Sequence, residues 1–151
     1  LHIRKAKLED LESIADFNIQ MAKETEGKSL DRNIVLEGVQ TVLNNKSMGF
    51  YLVAEDTDGT RMVVGQLMVT YEWSDWRNKN FWWIQSVYVD RKHRNKKVFS
   101  ELFGAIAKMA SSTRSVGGLR LYVKENNYYA KQVYESLGMK KTFYEVYEKS
   151  L

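Results

Sequence analysis

Five cations stand within seven residues in the run Arg91-Lys92-His93-Arg94-Asn95-Lys96-Lys97. The run lies between a segment patterned as a strand, Phe81 to Val89, and one patterned as a helix from Val98. A helix N-terminus leaves backbone N–H groups unpaired and carries the positive end of the helix dipole. Cations around it make an anion site, although a charge run alone also fits a solvated loop. His93 falls in the same turn. A second group is Glu72, Trp73, Asp75 and Trp76. Aromatic rings beside carboxylates form a wall that can receive a cationic amine, and they equally suit a packed loop anchor. Trp82 and Trp83 point to opposite faces of one strand, so at least one belongs to the core.

The rest of the composition narrows the chemistry. The chain has 151 residues and no cysteine, which excludes disulfides, thiolate zinc sites, iron–sulfur clusters and a cysteine nucleophile. With His2 and His93 as its only histidines, no multi-histidine metal site is expected. The net charge is +4. Taking the five cations of 91–97 from the 23 Lys and Arg leaves 18 against 19 Asp and Glu, so the basicity belongs to that one loop. The apolar stretch 63–69 is interrupted by Gly65 and Gln66, and no signal peptide is visible. The expectation is a cytoplasmic protein without a membrane partner, folded as one domain over 1–151.

These groups need elements to hold them. Residues 2–6 read as a strand, and 9–24 and 31–45 as helices, the second capped by Asp31 with Ile34, Val35, Val39, Val42 and Leu43 inward. Strands follow over 50–54 and 62–71, joined by the Asp56-Thr57-Asp58-Gly59 turn. Trp73 to Asn80 reads as a loop and Phe81 to Val89 as a long strand. Val98 to Ala110 reads as a helix with Val98, Leu102, Phe103, Ile106 and Met109 on one face. After Gly117-Gly118 come a strand over 119–123, a helix over 127–137 stopped by Gly138, and a last strand over 141–148. The order β-α-α-β-β-β-α-β-α-β predicts an α/β fold with a mixed sheet and helices on both faces.

Two strings in this order resemble the GCN5-related N-acetyltransferase (GNAT) superfamily. Its central signature, a strand, then Arg/Gln-x-x-Gly-x-Gly/Ala, then a helix, corresponds to Val87-Tyr88-Val89-Asp90-Arg91-Lys92-His93-Arg94-Asn95-Lys96-Lys97-Val98-Phe99-Ser100. Its second, Asn-x-x-Ala-x-x-x-Tyr before a terminal glycine, corresponds to Asn127, Ala130, Tyr134 and Gly138-Met139. The resemblance implies a mostly antiparallel sheet split by a splayed cleft that takes acetyl-CoA. It implies that the backbone of Val87, Tyr88 and Val89 pairs with the pantetheine arm. Arg94, Asn95, Lys96, Lys97, Val98, Phe99 and Ser100 would then form the phosphate loop, with Asn127 holding the cofactor arm or its local turn. The implied reaction is direct attack of a primary amine on the thioester, with a backbone N–H near Val89 as oxyanion donor and Tyr134 as general acid.

The departures lie in the loop and the base. Lys97 and Phe99 occupy the signature's two small positions. Lysine does not readily take a left-handed conformation, so the loop is expected to follow a different path. The family's glutamate position is Gln85, which can orient a water but not take a proton, so Glu72 is the substitute catalytic candidate. Trp73 and Trp76 are the candidate acceptor-binding residues. These departures also admit an acyl-CoA-binding regulatory domain with little turnover. A nucleic-acid binder lacks any supporting motif. The acceptor class is open among small amines and protein amines, and a homodimer is allowed.

Overall fold

The run Phe50 to Ala54 has no polar face, so its strand must be covered on both sides. It forms β2 (Gly49–Glu55), in which Tyr51, Leu52, Val53 and Ala54 are all buried. The computed structural model describes residues 1–151. Besides β2, the strands are β1 (His2–Lys5), β3 (Val63–Ser74), β4 (Lys79–Val89) and β5 (Val116–Arg120). They form one sheet in sequence order, antiparallel except for the parallel pair β4–β5. With α1 (Leu11–Glu26), α2 (Arg32–Asn44), α3 (Val98–Ser111) and α4 (Tyr128–Ser136), this is the expected mixed α/β fold.

Helices cover both faces of the sheet. Ile14 of α1 and Val39 of α2 pack on Tyr51 and Val53. On the opposite face α3 buries Val98, Leu102, Phe103 and Ile106, as its spacing predicts. Its first turn lies close on β3 because Gly65 has no side chain: a Cβ there would stand 2.7 Å from Val98 Cγ1. That approach sets where the N-terminus of α3 points.

Asp31 caps α2 as expected, its Oδ1 accepting from the Asn33 N–H at 2.9 Å and the Ile34 N–H at 3.3 Å. Asp31→Ala should lower the unfolding free energy by about 1 kcal/mol, measured by denaturant titration. Ile34, expected inward, is 68% exposed. It falls on the flank of the stripe that Val35, Val39 and Val42 direct at the core.

The chain divides into two compact units, Leu1–Leu121 and Tyr122–Leu151. The sheet and α1 to α3 belong to the first. The second holds α4, capped by Asn127 and followed by Gly138 at φ 87°. Three sequence expectations need correction. The Trp73–Asn80 loop is shorter, because β3 runs to Ser74 and β4 starts at Lys79, with turn residues 75–78 between them. The strand expected over 119–123 lies at 116–120, since Gly117-Gly118 joins the ladder to β4 and Gly118 gives Phe81 room. No strand forms over 141–148: its alternating residues find no ladder partner, and Phe143 and Tyr147 are exposed. No helix is long and apolar enough to cross a membrane.

Candidate active site

The parallel ladder runs from Asn80↔Val116 to Trp83↔Arg120 and stops. β4 continues to Val89 while paired only to β3, from Ile84↔Val69 to Val89↔Gly65. Between Gln66 and Met68 the register shifts by one residue, and Ser86 takes φ 50°. Ser86 and Val87 together oppose Leu67, which is a β-bulge that bends β4 where its partner ends. Gln66, fully buried, supports it: Nε2 donates to the Ser86 carbonyl at 3.2 Å and to Asn18 Oδ1 of α1 at 2.8 Å. The Asp90 N–H donates back to Val64 O at 2.9 Å. Strand alternation therefore turns the Val87 and Val89 N–H groups away from β3, toward the open edge. β5 itself ends at Arg120, so from Ile84 onward this edge of β4 has no strand paired with it.

The cation-rich turn follows directly. Asn95 and Lys97 both adopt left-handed backbone, with φ 64° and 63°. The expectation of a different path at Lys97 is thus overturned, because this lysine takes the conformation that glycine would supply. Val98, 2% exposed beneath Gly65, fixes one end of the turn and Arg94 fixes the other, so Lys97 bridges them at a strain of about 1 kcal/mol. Lys97→Gly is expected to raise stability by about 0.5 kcal/mol in denaturant unfolding, the relief being partly offset by glycine's freedom in the unfolded chain. The N-cap residue Lys97 makes no side-chain capping bond to the first turn of α3. Lys92, Lys96 and Lys97 are exposed beside it and enter no ion pair. The arrangement suits an extended, multiply charged anion.

Two of the five cations are committed elsewhere. Glu24, near the end of α1, accepts from Arg94 Nη2 at 2.7 Å, Arg91 Nε at 2.8 Å and the Tyr88 hydroxyl at 2.9 Å. The Arg94 bond, with those of Tyr88 and Arg91, holds the Glu24 carboxyl at about 2 against partial desolvation. Arg94 also donates Nε to Val89 O at 3.0 Å and lies 5.3 Å from the Tyr88 ring centre. Arg94 and the Tyr88 side chain therefore hold the turn in place, while the Tyr88 backbone pairs with Gln66 of β3. His93 bonds Asp90 through Nδ1 at 2.7 Å.

Further along the α1–α2 face of the sheet is a polar cluster. Gln85 Nε2 donates to Thr70 Oγ1. Glu72 accepts from Arg120 Nη1 at 2.6 Å and from Trp83 Nε1 at 3.3 Å, and the Arg120 guanidinium lies 3.7 Å from the Phe81 ring centre. Glu72 opposes Phe81 in the ladder and Trp73 opposes Asn80, so Glu72 and Trp73 face opposite sides of the sheet. The structure does not bring them together as one wall, and Trp76 is 87% exposed at the turn. Glu24 and Arg120 anchor these clusters, and the sequence reading did not single them out. Strand alternation alone could have separated Trp73 from Glu72, whereas nothing local marks Glu24.

In the second unit, Asn127 Oδ1 accepts from the Ala130 N–H at 3.1 Å, which makes it the cap of α4. Burial raises the Tyr134 phenol above its ordinary range, keeping it protonated at neutral pH.

Residues 11–139 match the family model described as "Acetyltransferase (GNAT) family". The crystal structure of a possible acetyltransferase from Clostridium difficile 630 is 46% identical, with 99% of this chain and 97% of that chain covered and a TM-score of 0.92. A probable acetyltransferase is 22% identical, covering 100% of this chain and 98% of that one at a TM-score of 0.87. The ribosomal-protein-alanine N-acetyltransferase from Brucella melitensis biovar Abortus 2308 shares the fold at 18% identity and a TM-score of 0.77, with both chains fully covered. No curated protein matches. The β4 edge left unpaired beyond Trp83, the β4 bulge, the turn into α3 and the match over most of the chain converge: this chain belongs to the GNAT family of N-acetyltransferases.

Proposed function

We propose that residues 1–151 act as one domain that transfers an acetyl group from acetyl-CoA to a primary amine by direct attack in a ternary complex. The observation that carries this reading is the unpaired β4 edge ending in an uncapped helix N-terminus ringed by Lys92, Lys96 and Lys97. Open strand edge suits an amide-bearing arm, and the helix start suits phosphates. Acetyl-CoA supplies, when bound, an acetyl group activated as a thioester.

The chain's own residues then have distinct tasks. Backbone groups at Val87 and Val89 hold the amide arm as a missing strand would. The N–H groups from Asn95 to Ser100 receive the pyrophosphate, and Lys96 or Lys97 meets the remaining phosphate. A Val89 N–H directed into the cleft polarises the acetyl carbonyl. Gln85 orients a water that takes the amine proton, because glutamine is not itself a base at neutral pH. Glu72, the other candidate, would have to give up bonds to Arg120 or Trp83 to accept it. Tyr134 protonates the departing thiolate. Asn127 serves this arrangement by capping α4.

The chain lacks cysteine, so a thiol-reactive dye reads only released coenzyme A. Acetyl-CoA-dependent thiol release with a panel of primary amines, together with calorimetric binding of acetyl-CoA, tests the reading. Binding with release above the no-amine background is expected. Tight binding with no release across the panel would replace it with the acyl-CoA-binding regulatory domain.

A further inference from the structure

We propose that the acetyl acceptor is an amine that also carries a carboxylate, and that the Glu72–Arg120 pair is the site that selects it. This rests on amine acetylation being the function and names the acceptor class. Three observations carry it.

The first is position. Trp83↔Arg120 is the last rung of the β4–β5 ladder and Arg120 the last residue of β5, so Arg120 stands where the unpaired edge of β4 begins. The pair lies on the same sheet face as Gln85, two residues along β4 from Trp83.

The second is that both partners are held rigidly from beneath. Glu72 Oε1 takes the Trp83 indole N–H at 3.3 Å, and Arg120 rests on Phe81, which is 9% exposed. An ion pair this exposed contributes little to stability, roughly 0–1 kcal/mol, so stability alone does not account for fixing both ends.

The third is unused capacity. Arg120 donates to Glu72 through Nη1 alone. A guanidinium has five N–H donors in a planar fork that matches a carboxylate. Its side chain is 26% exposed and that of Glu72 is 41% exposed, so a ligand reaches both. The Arg4 cluster at the far edge of the sheet differs: Arg4 is engaged by Asp10, Glu55 and the Lys5 carbonyl together. A neighbouring carboxylate and half-used guanidinium are the mirror of an ammonium and a carboxylate on one small molecule.

Lysine and cadaverine make the test pair, since they share the amine chain and differ by one carboxylate. Calorimetric titration of the full chain, with and without coenzyme A, should show lysine binding at least about 10-fold tighter. Arg120→Gln should remove that preference, and Arg120→Lys, which keeps charge without the fork, should restore only part of it. Equal binding of the two amines by the unmutated chain overturns the proposal and needs no variant. A preference that survives Arg120→Gln in a protein with an unchanged melting curve also overturns it. Thiol release separates this from the parent reading. Transfer to cadaverine as efficient as to lysine sinks the acceptor class and leaves acetyl transfer standing. Arg120-dependent lysine binding with no transfer to any amine supports the site and sinks the transfer reading.

Discussion

Tyr134→Phe is expected to lower turnover about 100-fold or more while leaving acetyl-CoA affinity within twofold. The reasoning is chemical before it is geometric. A thiolate leaving group returns to the carbonyl unless it is protonated, and a neutral phenol can supply that proton. Burial raises the Tyr134 hydroxyl above its ordinary range, so it stays protonated throughout the neutral range. Tyr134 lies inside α4, whose start is fixed by the Asn127 cap, so its place on the helix is set by local structure. Phenylalanine keeps the ring and removes the hydroxyl that carries the proton. Steady-state thiol release gives turnover, and calorimetry gives affinity. The pH profile adds a second check. Turnover should fall as pH rises through the raised phenol value, and the variant should lack that limb. A twofold effect on turnover with the limb intact would reduce Tyr134 to a packing residue.

Much of this site is legible in the chain because its signals are local. The change from strand alternation at Phe81–Val89 to helical spacing from Val98 marks the turn between them, and Asp31 marks a helix start by its type alone. What the sequence conceals is set by distant contacts. Lys97 reads as a residue that should avoid left-handed backbone. It adopts it because Val98 is pinned under Gly65 on one side, while Arg94 is pinned by Glu24 and Val89 O on the other. A loop fixed at both ends overrides a preference of about 1 kcal/mol. Glu24 lies 70 positions from Arg94, with no pattern of its own. Arg120 sits in an ordinary alternating strand, and only the ladder shows that it closes the last rung between β4 and β5. Residues 141–148 fail in the other direction, because alternation is a condition for a strand and a hydrogen-bonding neighbour is the rest of it.

Glu24→Ala should weaken acetyl-CoA binding about 10-fold and lower stability by about 2 kcal/mol, although none of the residues proposed to touch the cofactor is changed. Glu24 gathers three donors from the end of β4 and the turn, and Arg94 carries the constraint on to the Val89 carbonyl. Without the carboxylate, Arg91 and Arg94 are released. The strain at Asn95 and Lys97 then relaxes into other loop shapes, and the first-turn N–H groups of α3 lose their fixed place beside the turn. The loss should appear in affinity more than in turnover, since Val87 and Val89, proposed to hold the amide arm and the acetyl carbonyl, follow the β4 bulge, which Gln66 supports without Glu24. Acid titration isolates the charge. The Glu24 carboxyl is lowered from 4.5 to about 2, so its contribution is complete above pH 4.5 and disappears as pH falls toward 2. Glu24→Gln keeps the shape and removes that dependence. The stability gap between the unmutated protein and the Glu24→Gln variant should therefore be full at pH 7 and should close near pH 2. A gap equally wide at both pH values would mean that the three donors hold the side chain by shape and not by its charge, and the turn would then owe its position to Gly65 and Val98 alone.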